Sequence, residues 1–383
     1  MAEFLATATE NDSFNTSSNL SYTIGLSYEL PRQIRPDVVI NWILMYKAQN
    51  TTCINFTILD FTVDNCELFF SVFVTTFLCF VGFLGNSVTI VVLRRDRDPQ
   101  RQRSTNWLLE MLALVDIIFL AFAFIFLSLR SIAFRSESLP IVRTMFPYLL
   151  AYLYPFASIA HVMTIWIVVL VTVDRYLAIC KPLHPEWRSV RRMKITVGVL
   201  FILAVIYNIP RFFEMEVKIM KNCEDGELRP IALPHTFAIN VYYQYIYEAG
   251  CDFLFRSVGP LVVLVILNVR ISWAIKELNK KRGEMSLQAK EEKTLTVMLV
   301  IVVIIFVVCQ VPSTVLSIAF PTAVFYPVTV NWNAFACAFQ TSSALNVLNS
   351  SINFLVYCLI WRKFNRILVV VMSCKEENKN GQI

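Results

Sequence analysis

The sequence predicts an all-α membrane protein, a seven-transmembrane helix bundle with a short amphipathic helix after the seventh span. Three observations carry that expectation. The 383 residues are 56% hydrophobic and only 16% charged, too apolar for a water-solvated coat around a domain of this size. Seven apolar stretches near the membrane-spanning length of about 20 residues recur along the chain. Lys and Arg gather in alternate connections between those stretches.

The stretches run over roughly 68–93, 106–130, 147–180, 195–213, 250–275, 294–319 and 332–361. Leu, Ile, Val and Phe dominate them without strict alternation, so helices fit and a barrel does not. After the last, "RKFNRILVVVM" sets Phe364, Ile367, Leu368 and Val371 on one helical face, with Arg362, Lys363 and Arg366 beside them. That pattern predicts a helix lying along the inner leaflet, with lipid as its partner and Cys374 as a palmitoylation candidate. The chain thus divides into an N-terminal segment (1–66), a seven-helix domain (67–361) and an amphipathic helix with tail (362–383). No internal repeat is visible, which weakens a transporter reading.

Basic residues set the topology. The connections 94–103, 181–194 and 276–293 hold five, five and six, and the tail after Trp361 holds five. The connections 131–145, 212–247 and 320–331 hold two, three and none. The tail is therefore expected in the cytoplasm and the N-terminal segment outside. Five Asn-X-Ser/Thr sequons in that segment, at Asn11, Asn15, Asn19, Asn50 and Asn55, agree, because glycosylation requires lumenal exposure. No apolar leader opens the chain, so the first span is expected to direct insertion. The net charge of +6 is topological, which leaves a nucleic-acid partner without support. Of the ten cysteines, Cys53, Cys66 and Cys223 fall outside, with Cys251 and Cys337 near outer helix ends. A disulfide is expected there, its partners open.

Ionisable groups inside spans are costly and mark candidate functional sites. Asp116 in "LALVDIIF" is the clearest, with polar companions on other spans in Asn86, Thr164, Asn349, Ser350 and Asn353. A carboxylate among neutral oxygens suits a sodium ion or a hydrogen-bonded network. His161, His184 and His235 lie far apart, so a zinc site is not indicated. No phosphate loop or nucleophile elbow occurs, the seventh span has no lysine for a retinal Schiff base, and no enzyme or cofactor is expected. Asp174 and Arg175 end the third span; adjacent helical residues point about 100° apart, so they form a local ion pair rather than a facing catalytic pair.

Together these residues resemble a rhodopsin-like G-protein-coupled receptor, from about Cys66 to Cys374. The likeness rests on Gly85-Asn86, "LALVD" ending at Asp116, Asp174-Arg175-Tyr176, Pro260, Pro312 and "NFLVY" from Asn353 to Tyr357. "YNIPRFFE" (Tyr207 to Glu214), "LYPF" and "VLNSSINFLVY" resemble invertebrate FMRFamide-type neuropeptide receptors. The resemblance implies a plasma-membrane receptor for a short amidated peptide, signalling through a heterotrimeric G protein engaged by Asp174, Arg175 and Tyr176. Pro312 and Tyr357 would take part in activation. Oligomeric state is not indicated.

The chain departs from the wider family in places. Leu150 stands where most members have a disulfide cysteine. FMRFamide-type receptors have a cysteine before helix one, matched by Cys66, which implies a Cys66–Cys223 bridge. Gln310, Asn268 and Phe354 replace a usual tryptophan, tyrosine and proline.

The acidic outer loop 212–247 suits a cationic ligand such as an Arg-Phe-amide terminus. On that reading Glu214, Glu216 or Asp252 pairs with the ligand arginine, and Arg211, Gln310 and Gln340 offer polar contacts. Tyr152, Tyr154, Tyr245 and Phe339 line the pocket. A small-molecule chemoreceptor of the same fold and a transporter are the alternatives.

Overall fold

In a bilayer no water satisfies the backbone, so each apolar stretch must close its own hydrogen bonds as a helix. The computed structural model describes residues 53–54, 65–96, 103–135, 139–181, 189–223, 226–281, 287–325 and 331–373. The five sequons and Cys374 lie outside the described residues. Among those residues seven helices are long and apolar enough to cross a membrane: α1 Leu68–Arg95, α2 Ser104–Ala133, α3 Pro140–Cys180, α4 Val190–Phe213, α5 Tyr243–Glu277, α6 Thr296–Thr322 and α7 Asn333–Ile360. A shorter helix, α8 Arg362–Met372, follows.

Two helices begin earlier than the hydropathy suggests. α3 starts at Pro140, where a proline costs no hydrogen bond, and runs through Pro147 and Pro155. Arg143 and Thr144 dilute its apolar signal. α5 starts at Tyr243, and its first half is π-helical, over Tyr243–Cys251 and Phe253–Val258. Such wider turns are uncommon and gather at functional sites. Gly259 is a condition for the second: a Cβ there would stand 2.2 Å from the Leu254 carbonyl oxygen.

α3 is the axis of the bundle, since 67% of its apolar window is buried against 17% to 39% for the other six. One core cluster joins Leu108, Leu109 and Leu112 of α2, Ile165, Ile167 and Val171 of α3, Leu264 of α5, Met298 and Phe306 of α6, and Tyr357 of α7. Outward-facing Phe77, Phe80, Ile304 and Val308 are exposed, as lipid-facing side chains must be. α1 and α7 approach closely at Gly85, where a Cβ would lie 2.8 Å from the Phe354 Cβ. Phe354 thus occupies space that only glycine leaves free.

The helical architecture has one addition. Between α4 and α5 the chain forms a hairpin, β2 Met215–Asn222 and β3 Leu228–Pro234, antiparallel with Val217 opposite Ala232. A short strand β1, Cys53–Ile54, pairs in parallel with Lys221 and Asn222. Ala232, Leu233 and Pro234 are buried where β3 packs on α3.

The disulfide differs from the expected pairing. Cys66 is bonded to Cys337, not Cys223, joining the start of α1 to the start of α7 with Cα atoms 5.6 Å apart. α1 and α7 are neighbours, so the two cysteines face each other, while the hairpin carrying Cys223 sits against α3. Cys223 is disulfide-bonded to another cysteine.

α8 is amphipathic as expected. Phe364, Ile367 and Val370 are buried against the bundle, and Val369 and Met372 are exposed. The Lys363 ammonium pairs with Asp96 at the end of α1, at 2.9 Å, and Phe364 stacks on Trp361 with ring centres 5.8 Å apart.

Candidate functional site

Three polar centres line the bundle from one end to the other. At the end away from the hairpin, Asp174 and Arg175 are buried beside the start of α2. Ser104 donates to Asp174 Oδ1 at 2.9 Å, Thr105 donates to Oδ2, and Arg175 Nη2 donates to the same Oδ2 at 2.9 Å. Buried charges are stable only when paired in this way. Tyr176 is half-buried beside them.

The second centre is Asp116, wholly buried on α2. Thr164 of α3 donates to its Oδ1 at 3.2 Å, Asn353 of α7 donates to its Oδ2 at 2.9 Å, and Ser350 also hydrogen-bonds it. Asn86 reaches the group indirectly, donating to the Ser350 carbonyl at 3.0 Å and to Gly82 O at 2.9 Å. Asn349 is half-buried and belongs to none of these bonds. Below it, Tyr357 is buried edge-on to Phe364 at 5.7 Å. On α6, Pro312 lies within the helix, and Asn346 of α7 donates to Ser313 at 3.3 Å.

The third centre lies under the hairpin, where α3, α4 and α5 meet. Arg211, buried at the end of α4, donates through Nη2 to Asp252 Oδ1 and Oδ2 at 3.2 and 3.1 Å. Its Nη1 stands 3.6 Å from Glu214 and 3.7 Å from Glu248. Tyr207 also donates to Asp252, and Arg256 Nη1 donates to it at 3.0 Å. Tyr243 donates to Glu214 at 2.6 Å. Arg256 Nη2 contacts His161 Nδ1 at 2.6 Å; a guanidinium only donates, so His161 is neutral with its proton on Nε2. The His161 ring stacks on Phe119 at 4.9 Å. Tyr207 and Tyr243 pack on Tyr247 at 5.6 and 5.0 Å, and the Tyr247 ring lies 5.5 Å from Arg211 Cζ. The result is an aromatic and carboxylate box that already holds a guanidinium.

Of the ligand residues read from the sequence, Arg211, Glu214 and Asp252 converge here. Glu216 does not: it lies on β2 and pairs with Lys218 at 2.7 Å. Gln340 accepts a hydrogen bond from Ser71 of α1 at 2.8 Å, at the α1–α7 seam, and Gln310 is buried deeper on α6. Tyr154 borders the box, edge-on to Phe126 at 6.0 Å and within electrostatic reach of Arg211, Arg256, Glu214 and Glu248, and Tyr245 is half-buried on α5. Tyr152 and Phe339 are 62% and 54% exposed, outside the box.

The sequence reading missed His161, Tyr207, Tyr243, Tyr247, Glu248 and Arg256. A signal existed, since Glu248, Asp252 and Arg256 follow at a spacing of four and share one helical face. Starting α5 at residue 250 hid it. Among the described residues no group of His, Cys, Asp and Glu is arranged to hold a metal ion.

Comparison with known proteins fits this arrangement. The family model described as 7 transmembrane receptor (rhodopsin family) matches residues 85–357. An FMRFamide receptor of Drosophila melanogaster is 28% identical over 295 residues, covering 76% of this chain and 51% of the relative. The FMRFamide peptide receptor frpr-18 of Caenorhabditis elegans is 26% identical over 301 residues, covering 76% and 67%. A sex peptide receptor of Drosophila melanogaster is 22% identical over 223 residues, covering 54% and 51%. The chain thus spans about half the length of the two Drosophila relatives. These are receptors, not enzymes, and with a family match reaching from Gly85 to Tyr357 across all three polar centres, the chain belongs to the rhodopsin family of seven-transmembrane receptors.

Proposed function

We propose that the chain couples binding of a short amidated peptide, outside the cell, to a heterotrimeric G protein in the cytoplasm. The observation that carries the ligand class is the box around Arg211: three carboxylates and three tyrosines gathered on a guanidinium under the hairpin. Those groups recognise an arginine with a neighbouring aromatic ring. The FMRFamide receptors among the relatives favour the same class.

The charge of the connections supports the orientation, with the hairpin end outside and the Asp174 end inside, and a ligand arriving from outside the cell would put the site of action at the plasma membrane. At the inner end the ligand would select a conformer in which α5 and α6 part and Arg175 leaves Asp174 to line a cavity for the G protein. The exposed apolar side of α8, with Arg362 and Arg366 beside it, would rest on inner-leaflet lipid. Asp116 fits a sodium ion as an allosteric partner, because Asn353 Oδ1 and Asn86 Oδ1 are buried oxygens with no hydrogen bond among the described residues.

The test is expression in cells that report calcium and cAMP, screened with amidated peptides and small volatiles, with an uptake control. A response to amidated Arg-Phe peptides supports the reading. A response to volatiles alone, or uptake without signalling, overturns it.

A further inference from the structure

We infer that Glu248 is the group that takes the ligand's guanidinium, while Arg211 remains the internal counter-ion of Asp252 and Glu214. This rests on the peptide reading above and assigns within it a residue that the acidic loop does not contain.

The box counts three carboxylates, Glu214, Glu248 and Asp252, against two guanidiniums, Arg211 and Arg256, with His161 neutral. Fully ionised, the acids outnumber the guanidiniums by one, and a surplus buried charge is costly until a proton or a cation joins it. The three acids do not share the deficit equally. Asp252 is held by Arg211, Arg256 and Tyr207, and Glu214 by Tyr243 and Arg211. Glu248 has a neutral hydrogen-bond partner in Gln244 and the longest of the three contacts to Arg211, 3.7 Å against 3.1 and 3.6 Å.

Access points the same way. The Glu248 side chain is 29% exposed, against 15% for Asp252 and 9% for Glu214, so it is the acid an incoming ligand meets. Its partner Arg211 keeps Nε buried without a hydrogen-bond partner among the described residues. Unpaired buried groups of this kind are rare in a finished core and common where a ligand completes the network. Tyr247, one residue before Glu248, already presents its ring to a guanidinium.

The experiment is a double-mutant cycle across the ligand. Wild-type and Glu248→Gln receptors, matched for surface level by an N-terminal epitope tag, are titrated with Phe-Met-Arg-Phe-amide and with its citrulline analogue, which keeps the shape of arginine without the charge. On the wild type, citrulline is expected to raise the half-maximal concentration at least about tenfold; on Glu248→Gln, less than about threefold. Equal citrulline costs on both receptors overturn the assignment and leave the peptide reading intact. No response of the wild type to either peptide overturns the peptide reading itself. If Glu248→Gln does not reach the surface, Glu248→Asp decides: its shorter reach should weaken the arginine peptide and leave the citrulline peptide unchanged, and equal effects on both overturn the assignment.

Discussion

Arg175 donates to Asp174 at 2.9 Å with both side chains out of solvent, and the same carboxylate accepts from Ser104 and Thr105 across the α2–α3 interface. Arg175 is thus clamped by a partner that is itself fixed from a second helix. Neutralising the carboxylate in Asp174→Asn removes the charge that holds Arg175, and ligand-independent signalling should rise several-fold. Arg175→Ala should abolish coupling at normal surface level. Basal and stimulated G-protein activation in membranes checks both.

The box under the hairpin should be a stability element as well as a binding one. Arg211→Ala leaves Asp252, Glu214 and Glu248 facing one another with Arg256 as their remaining guanidinium. Removing one partner from a buried ion cluster costs about 3–5 kcal/mol, so the melting temperature of detergent-solubilised receptor should fall sharply. Glu216→Ala, on the outer strand and paired with Lys218 among the described residues, should leave it within about 1 kcal/mol of the wild type.

Gly259 is where one added methyl should be felt at a distance. Its Cβ would stand 2.2 Å from Leu254 O, so Gly259→Ala must unwind the π turn that aims Asp252 and Arg256 inward. A loss of about 1–3 kcal/mol in stability is expected, with a weaker peptide response. Gly198→Ala, with open space around it, should change neither. Thermal unfolding and dose–response curves of the two variants side by side make the comparison.

Non-reducing peptide mapping should recover Cys66 joined to Cys337. Cys66→Ser, Cys337→Ser and the double variant should lose the same stability, about 2–4 kcal/mol, because each breaks one bond. Additive losses would contradict the pairing.

Exchanging sodium for choline should shift peptide affinity on the wild type, and Asp116→Asn should abolish that shift while preserving the fold through Thr164 and Asn353. Competition binding in the two salts measures it.

Much of this was legible in order and spacing along the chain. Asp116, Asn353 and Thr164 each interrupt an apolar run, and a polar group in lipid must find another, so their meeting follows from the cost of leaving them apart. Glu248, Asp252 and Arg256 were written at helical spacing but masked by polar neighbours that blurred where α5 begins. Nothing local signalled Arg256 against His161, 95 residues away.

The sequence by itself determined the seven spans, their alternation of charge, the amphipathic α8, the intramembrane Asp116 and the Asp174–Arg175 pair at the end of α3, because hydrophobic length and the cost of ions in lipid act locally. The tertiary structure alone decided which cysteine meets Cys66, that the acidic loop folds as a hairpin over α3, and which three carboxylates surround Arg211. Those outcomes depend on which helices become neighbours and how π turns rotate α5, and neighbourhood is a property of the packed bundle rather than of any one stretch.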